Sequence, residues 1–178
     1  MAKILAFAGS NSSTSINFEF VKYTASLVVK PSVQILNLAD YTFPMYSEDL
    51  EKEKGFSSSL VAVNTYLSTS DGVILSVNEH NSNPSAYFKN ILDWLSRLER
   101  DCFAGKKIFL MSTSPGKRGA IGALTVCKQL LVRLGGDVVS TFSLPEFHTN
   151  YKTDNGIVVK DLELAHKEAL KQFIDKIS

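Results

Sequence analysis

The sequence predicts an α/β fold, with five parallel strands in one sheet and helices on both faces. Three observations carry that expectation. Short apolar runs alternate five times with longer segments whose apolar residues recur at helical spacing. The short runs are apolar at consecutive rather than alternate positions, as in strands covered on both sides. Gly, Pro and Ser punctuate the joins between them.

Lys3 to Ala8 (KILAFA) is the first strand. A polar loop, Gly9 to Asn17, follows it. Phe18, Val21, Ala25 and Val28 then share one helical face, and Pro31 ends that helix. Val33 to Leu38 is the second strand, and Ala39 to Ser47 (ADYTFPMYS) is an aromatic loop. Between Glu48 and Thr69 the later part is helical, with Leu60, Val61, Val63, Asn64 and Leu67 at helical spacing. Asp71-Gly72 turns into the third strand, Val73 to Val77. A loop rich in hydrogen-bonding groups begins at Asn78 and leads into an amphipathic helix carrying Ile91, Leu92, Trp94, Leu95 and Leu98. Lys107 to Met111 is the fourth strand, followed by the Ser- and Gly-rich loop Ser112 to Gly119. The next helix, Ala120 to Leu134, is capped by Gly135-Gly136. Asp137 to Phe142 is the fifth strand, Leu144 to Gly156 a loop, and Leu162 to Ile177 a final amphipathic helix.

The 178 residues fit a single domain, 1–178, able to bury a sizeable core. Nineteen basic and eighteen acidic side chains leave a net charge of +1, with no basic patch. That composition speaks against a nucleic-acid or anionic-membrane partner. Cys102 and Cys127 have no CxxC spacing, and His80, His148 and His166 are scattered. No metal site is expected, and a reduced, cytoplasmic setting is. The N-terminal apolar run is too short for a signal peptide or a membrane span.

Five strands favour the order 2-1-3-4-5, the flavodoxin-like arrangement, in which the loops after strands one, three and four meet at one crevice. The first loop offers Ser10, Asn11, Ser12, Ser13, Thr14, Ser15 and Asn17, without a Lys or Arg. Hydroxyls and unpaired N–H groups at a helix N-terminus suit a phosphate. Neither GxGxxG nor GxxxxGK[ST] is present, so a monophosphate fits better than a dinucleotide or a hydrolysed nucleotide. Taken alone, a Ser/Thr-rich helix cap with no ligand is the commoner explanation of such a loop. The two further polar loops at the same sheet edge weigh towards a ligand.

Three segments carry a family likeness. Gly9, Ser10, Ser15 and Asn17 match the pattern G-S-x-R-x-x-S-x-N, with Ser12 at the Arg position. Glu79, His80, Asn81, Phe88, Lys89, Asn90, Leu92, Asp93 and Trp94 match E-[YH]-N-x-S-x-x-x-x-[LF]-K-N-x-L-D-W, with Asn83 replacing the Ser. Ser114, Pro115, Gly116 and Gly119 match S-P-G-x-x-G. From Ile4 to about Tyr151 the chain resembles the NADPH-dependent FMN reductase family, a flavodoxin-like group that includes quinone, azo-dye and chromate reductases.

The resemblance implies bound FMN, reduced by NADPH or NADH, and a small-molecule electron acceptor: a flavin, quinone, azo compound or metal oxyanion. By that likeness Ser10, Ser12, Ser15, Ile16 and Asn17 lie at the phosphate. Glu79, His80, Asn81 and Ser82 run along the isoalloxazine, and Ser114, Pro115, Gly116, Lys117 and Gly119 close over its other edge. The flavin does the chemistry and the protein positions it, so no catalytic side chain and no metal are required. Lys117 and Arg118 either meet the phosphate of NADPH or form an exposed turn. Tyr41, Phe43, Pro44 and Tyr46 either cover the flavin or meet a second subunit, and Trp94 belongs to the core. A homodimer or homotetramer is implied. The rival readings are a non-enzymatic flavodoxin-like electron carrier, usually strongly acidic, and a binding module without flavin.

Overall fold

The computed structural model describes residues 2–177. In chain order the elements are β1 (Lys3–Ala8), α1 (Ile16–Ser26), β2 (Ser32–Leu36), α2 (Glu48–Lys54), α3 (Ser58–Ser68), β3 (Gly72–Val77), the short β4 (Glu79–His80) and β5 (Asn83–Pro84), α4 (Ala86–Leu98), β6 (Lys107–Thr113), α5 (Ile121–Arg133), β7 (Asp137–Leu144), α6 (Phe147–Asn150), the short β8 (Tyr151–Lys152) and β9 (Gly156–Ile157), and α7 (Lys160–Ile177). The main sheet runs β2-β1-β3-β6-β7 and every pairing in it is parallel. Counting only these five strands, the order is the expected 2-1-3-4-5.

Alternate residues of each strand face opposite sides. Leu5, Phe7, Val73, Leu75, Ile108 and Leu110 pack with side chains of α3, α4 and α5. Ile4, Ala6, Ile74, Phe109 and Met111 pack with α1 and α7, chiefly Phe20, Val21, Leu170 and Phe173. Both faces are covered, which explains the unbroken apolar runs.

Local chemistry moves several boundaries. The second strand stops at Leu36 because the Asn37 side chain accepts from the Ala39 N–H at 3.2 Å and starts a 3-10 turn. The first helix ends at Ser26, short of Pro31. Residues 48–69 form two helices, each capped by a serine, Ser47 and Ser57, and broken at Gly55 with φ 65°. The earlier one, α2, buries no residue, so it shows no apolar stripe. Arg97 on α4 holds it by a bidentate pair with Glu51 at 2.9 and 3.2 Å. That pair and the Tyr46 hydroxyl hold the Glu51 carboxyl below its ordinary pKa, Arg97 having the larger effect. The stretch 144–156, expected to be a loop, contains α6 and enters the β8–β9 hairpin. Gly156 there has φ 72°, and a Cβ would lie 2.1 Å from the Tyr23 ring.

His166 sits in the core at 0% exposure, among Phe20, Tyr23, Phe109 and Phe142. Thr24 donates its hydroxyl proton to the Phe20 carbonyl, so its oxygen accepts from His166 Nε2 at 2.9 Å. Nδ1 is left without a partner. A proton arriving there finds no acceptor, and burial pushes the pKa down from 6.5 to about 4. The folded pKa lies below the unfolded one, so this stabilising contribution is complete above pH 6.5. It drains away as pH falls towards 4, amounting to about 3 kcal/mol. Urea midpoints measured down that range are expected to fall, and His166→Leu is expected to remove this component of the slope.

Candidate functional site

The carboxyl ends of β1, β3 and β6 meet at one sheet edge, and a single buried side chain ties two of them. Asn17, 2% exposed, accepts from the Ser76 hydroxyl at 2.7 Å and the Thr113 N–H at 3.1 Å. Its amide donates to the Thr113 carbonyl at 3.1 Å. The Asn17 side chain is therefore engaged with the scaffold, and its backbone N–H remains for a ligand. Nearby, the Gly9 N–H donates to the Ser76 carbonyl at 2.9 Å, and the Ser85 hydroxyl donates to the Gly9 carbonyl at 3.0 Å. Ser85 also caps α4 by accepting from the Phe88 N–H. Gly9 is required here because a Cβ would lie 2.7 Å from the Phe88 ring.

The first loop folds on its own hydroxyls. Ser10 Oγ accepts from the Ser12 N–H, and Ser12 Oγ accepts from the Thr14 N–H. Ser15 is the N-cap of α1, accepting from the Phe18 N–H at 3.2 Å. The Ser15 N–H is used by the Ser12 carbonyl at 3.3 Å. The N–H groups of Asn11, Ser13, Ile16 and Asn17 have no acceptor among the described residues. Unpaired donors at the positive end of a helix provide an anion-binding surface without a cation. Ser12 occupies the family's Arg position and is exposed, its hydroxyl 3.3 Å from Thr14 Oγ1.

The second loop is a hairpin. β4 and β5 pair antiparallel, and the two-residue turn places Asn81 and Ser82 at φ 52° and 62°. Positive φ at both turn positions suits the right-handed twist of paired strands, and Asn tolerates it well. Glu79, expected along the ligand, instead points its carboxylate at α5 and accepts from the Ala123 N–H at 2.9 Å. That helix begins at Ala120 with no side-chain cap of its own, so Glu79 supplies the missing acceptor and a favourable charge. Gly122 makes the approach possible. A Cβ there would be 2.7 Å from Glu79 Oε2 and 2.9 Å from the Ser82 carbonyl. His80 is exposed, its Nε2 3.4 Å from Asn78 Nδ2, while Asn78 Oδ1 is buried without a partner.

In the third loop the carbonyls of Ser114 and Gly116 accept from the N–H groups of Phe147 and Glu146, both at 3.0 Å. Pro115, Gly116, Lys117 and Arg118 are exposed. The space a Cβ at Gly116 would enter holds only Ser114 Oγ, 3.8 Å away. Gly119 takes a different place from the one expected. It is buried with φ 56°, and its carbonyl accepts from the hydroxyls of Ser112 and Ser143 at 2.7 and 2.8 Å. Its part is to turn the chain beneath the loop. No charged partner of Lys117 or Arg118 lies among the described residues.

Asn90 and Trp94 do not face these loops. Asn90 donates to the Pro44 carbonyl at 2.9 Å and accepts from the Tyr46 N–H at 2.8 Å. The Trp94 indole N–H donates to the same carbonyl at 2.8 Å. Both hold the aromatic loop against α4. Ser76, Asn78, Ser85, Thr113 and Gly122 were missed by sequence reasoning. The one local signal was the serine three residues before Phe88, a helix-cap pattern. Among the described residues there is no group of three His, Cys, Asp or Glu able to hold a metal, and no helix long and apolar enough to cross a membrane.

The architecture and the loops have clear counterparts. The family profile described as NADPH-dependent FMN reductase matches residues 2–149. A quinone reductase of Escherichia coli strain K12 is 33% identical over 104 residues, which is 58% of this chain and 54% of that protein. The match thus spans about half of that relative's length. An NAD(P)H-dependent FMN reductase of Pseudomonas aeruginosa is 29% identical over 133 residues, 74% of this chain and 70% of that one. Among solved structures, the flavoenzyme NAD(P)H:(acceptor) oxidoreductase FerB from Paracoccus denitrificans superposes with a TM-score of 0.80 at 23% identity, covering 99% of this chain and 97% of its own. That likeness concerns the flavodoxin-like fold.

Proposed function

The chain belongs to the NADPH-dependent FMN reductase family, and from that premise we propose that it is an oxidoreductase binding FMN across the loops after β1, β3 and β6. Electrons pass from NADPH or NADH to a small-molecule acceptor, whether a flavin, a quinone, an azo compound or a metal oxyanion. The observation that carries this reading is the Asn17 tie, which fixes the start of α1, and with it the loop after β1, to the ends of β3 and β6.

The residues present fit the cofactor. The free N–H groups of Ile16 and Asn17, with the Ser15 hydroxyl, receive the phosphate. The buried, unpartnered Asn78 Oδ1 marks an acceptor at the hairpin awaiting a donor. The open side of Gly116 leaves room for a flat ring. When bound, FMN supplies the hydride and electron chemistry. The protein's own residues hold the phosphate, present backbone groups of 80–82 and 114–117 to the ring, and offer Lys117 and Arg118 to an anionic nicotinamide cofactor. Glu79 and Gly119 act from behind, setting the hairpin and the third loop.

A homodimer or homotetramer in the cytoplasm completes the proposal. The buried free thiols of Cys102 and Cys127, pushed up to about 12 by burial, suit such a setting. Anaerobic mixing of the FMN-loaded chain with NADPH is expected to bleach the flavin absorbance within seconds. A yellow protein that stays oxidised would instead be an electron carrier, and a chain that takes up no FMN would refute the site.

A further inference from the structure

We propose that the cavity between the aromatic loop, α2 and α4, open to solvent on one side, is a binding site for a single-ring aromatic carboxylate. The cavity measures about 120 Å³, with Phe43, Pro44, Leu50 and Trp94 among its walls and Lys54 and Ser57 also lining it. Trp94 lies nine residues into the helix from its cap Ser85, roughly 13 Å along the axis at the usual helical rise. The cavity is thus separate from the strand-end crevice, and the inference does not rest on flavin binding.

Three features select the ligand. The first is size. An apolar cavity of roughly 150 Å³ takes benzene, so a single ring matches the volume here. The second is the wall. The polar groups nearest the cavity floor are already matched, because the Pro44 carbonyl accepts from both Trp94 and Asn90. Water needs two to four polar partners to stay, and aromatic walls favour a ring stacked edge-on or offset. The third is charge. Lys54 is the one charged lining residue and has no acidic partner among the described residues. Of the acids on α2, Glu48 pairs with Lys52 and Glu51 with Arg97. Asp49 and Glu53 are one step round the helix from the Leu50–Lys54 face, which lines the cavity. The Ser57 hydroxyl accepts from the Leu60 N–H and keeps its proton to donate. A carboxylate beside Lys54 and Ser57 with its ring against Trp94 uses every group present.

Trp94 is the only tryptophan, so nitrogen–proton spectra of the full chain contain a single indole signal, free of any flavin readout. Titration with benzoate is expected to shift that signal to saturation. Benzyl alcohol, with the same ring and no charge, is expected to bind about fivefold more weakly, the upper range for an exposed ion pair. Lys54→Met should bring benzoate down to the level of benzyl alcohol and leave the alcohol unchanged. Leu50→Phe, which fills the cavity, should abolish both. No saturable shift with benzoate overturns the proposal. So does equal affinity for the two ligands, benzoate affinity that Lys54→Met leaves unchanged, or benzoate binding that survives Leu50→Phe. Each of these outcomes leaves the FMN titration, and with it the proposed activity, untouched.

Discussion

Replacing Asn17 with leucine is expected to lower the unfolding free energy by about 5 kcal/mol and to leave a chain that does not retain FMN. Leucine has nearly the same size and is a better helix former, so neither volume nor propensity explains such a loss. The damage lies in what Asn17 leaves behind. The Ser76 hydroxyl and the N–H and carbonyl of Thr113 are buried and lose their partner together. A buried polar group stripped of its partner costs roughly 1–3 kcal/mol, and three such groups account for the total. Cofactor binding suffers separately, because the start of α1 is no longer held at the ends of β3 and β6. Urea unfolding measures the first effect and FMN titration the second. A variant within 1 kcal/mol of the parent would show that the Asn17 hydrogen bonds are not what fixes the crevice.

Ser15→Asp is the sharper test of the phosphate position. Aspartate is as good an N-cap as serine, so α1 keeps its start and the fold keeps its stability. The new carboxylate, however, occupies the place where the phosphate is expected. Two like charges a few ångströms apart at a half-exposed site repel by roughly 2–4 kcal/mol. That is roughly thirty- to a thousandfold in FMN affinity. Fluorescence titration of the cofactor-free variant reads it directly, with thermal unfolding as the control. Unchanged affinity together with unchanged stability would remove Ser15 from the site.

The strands were legible because β1, β3 and β6 are covered on both faces, so their apolar runs stand out without any periodic pattern to decode. The helix α2 was not, because it buries nothing and is held by Arg97 from another element. The loops were legible as polar and as neighbours, which follows from strand order alone. Their internal geometry was not. The hairpin turn carries Ser82 where Gly is the usual signal, so the turn did not announce itself. The contacts of Asn17 with Thr113 and of Glu79 with Ala123 join residues 96 and 44 positions apart. No local spacing encodes such pairs. This is why the sequence marked Asn17 and Glu79 as ligand neighbours, while the structure engages their side chains elsewhere.

The Asn17 tie also has a consequence for biosynthesis. Its partners lie 59 and 96 residues downstream, so a chain emerging from the ribosome has exposed the glycine–serine segment long before Thr113 exists to complete the enclosure. Until then the start of α1 lacks its anchor on β6, although β1 can already pair with β2 and β3. Uptake of a prosthetic group at this site therefore has to wait until Thr113 has been made and has folded against Asn17.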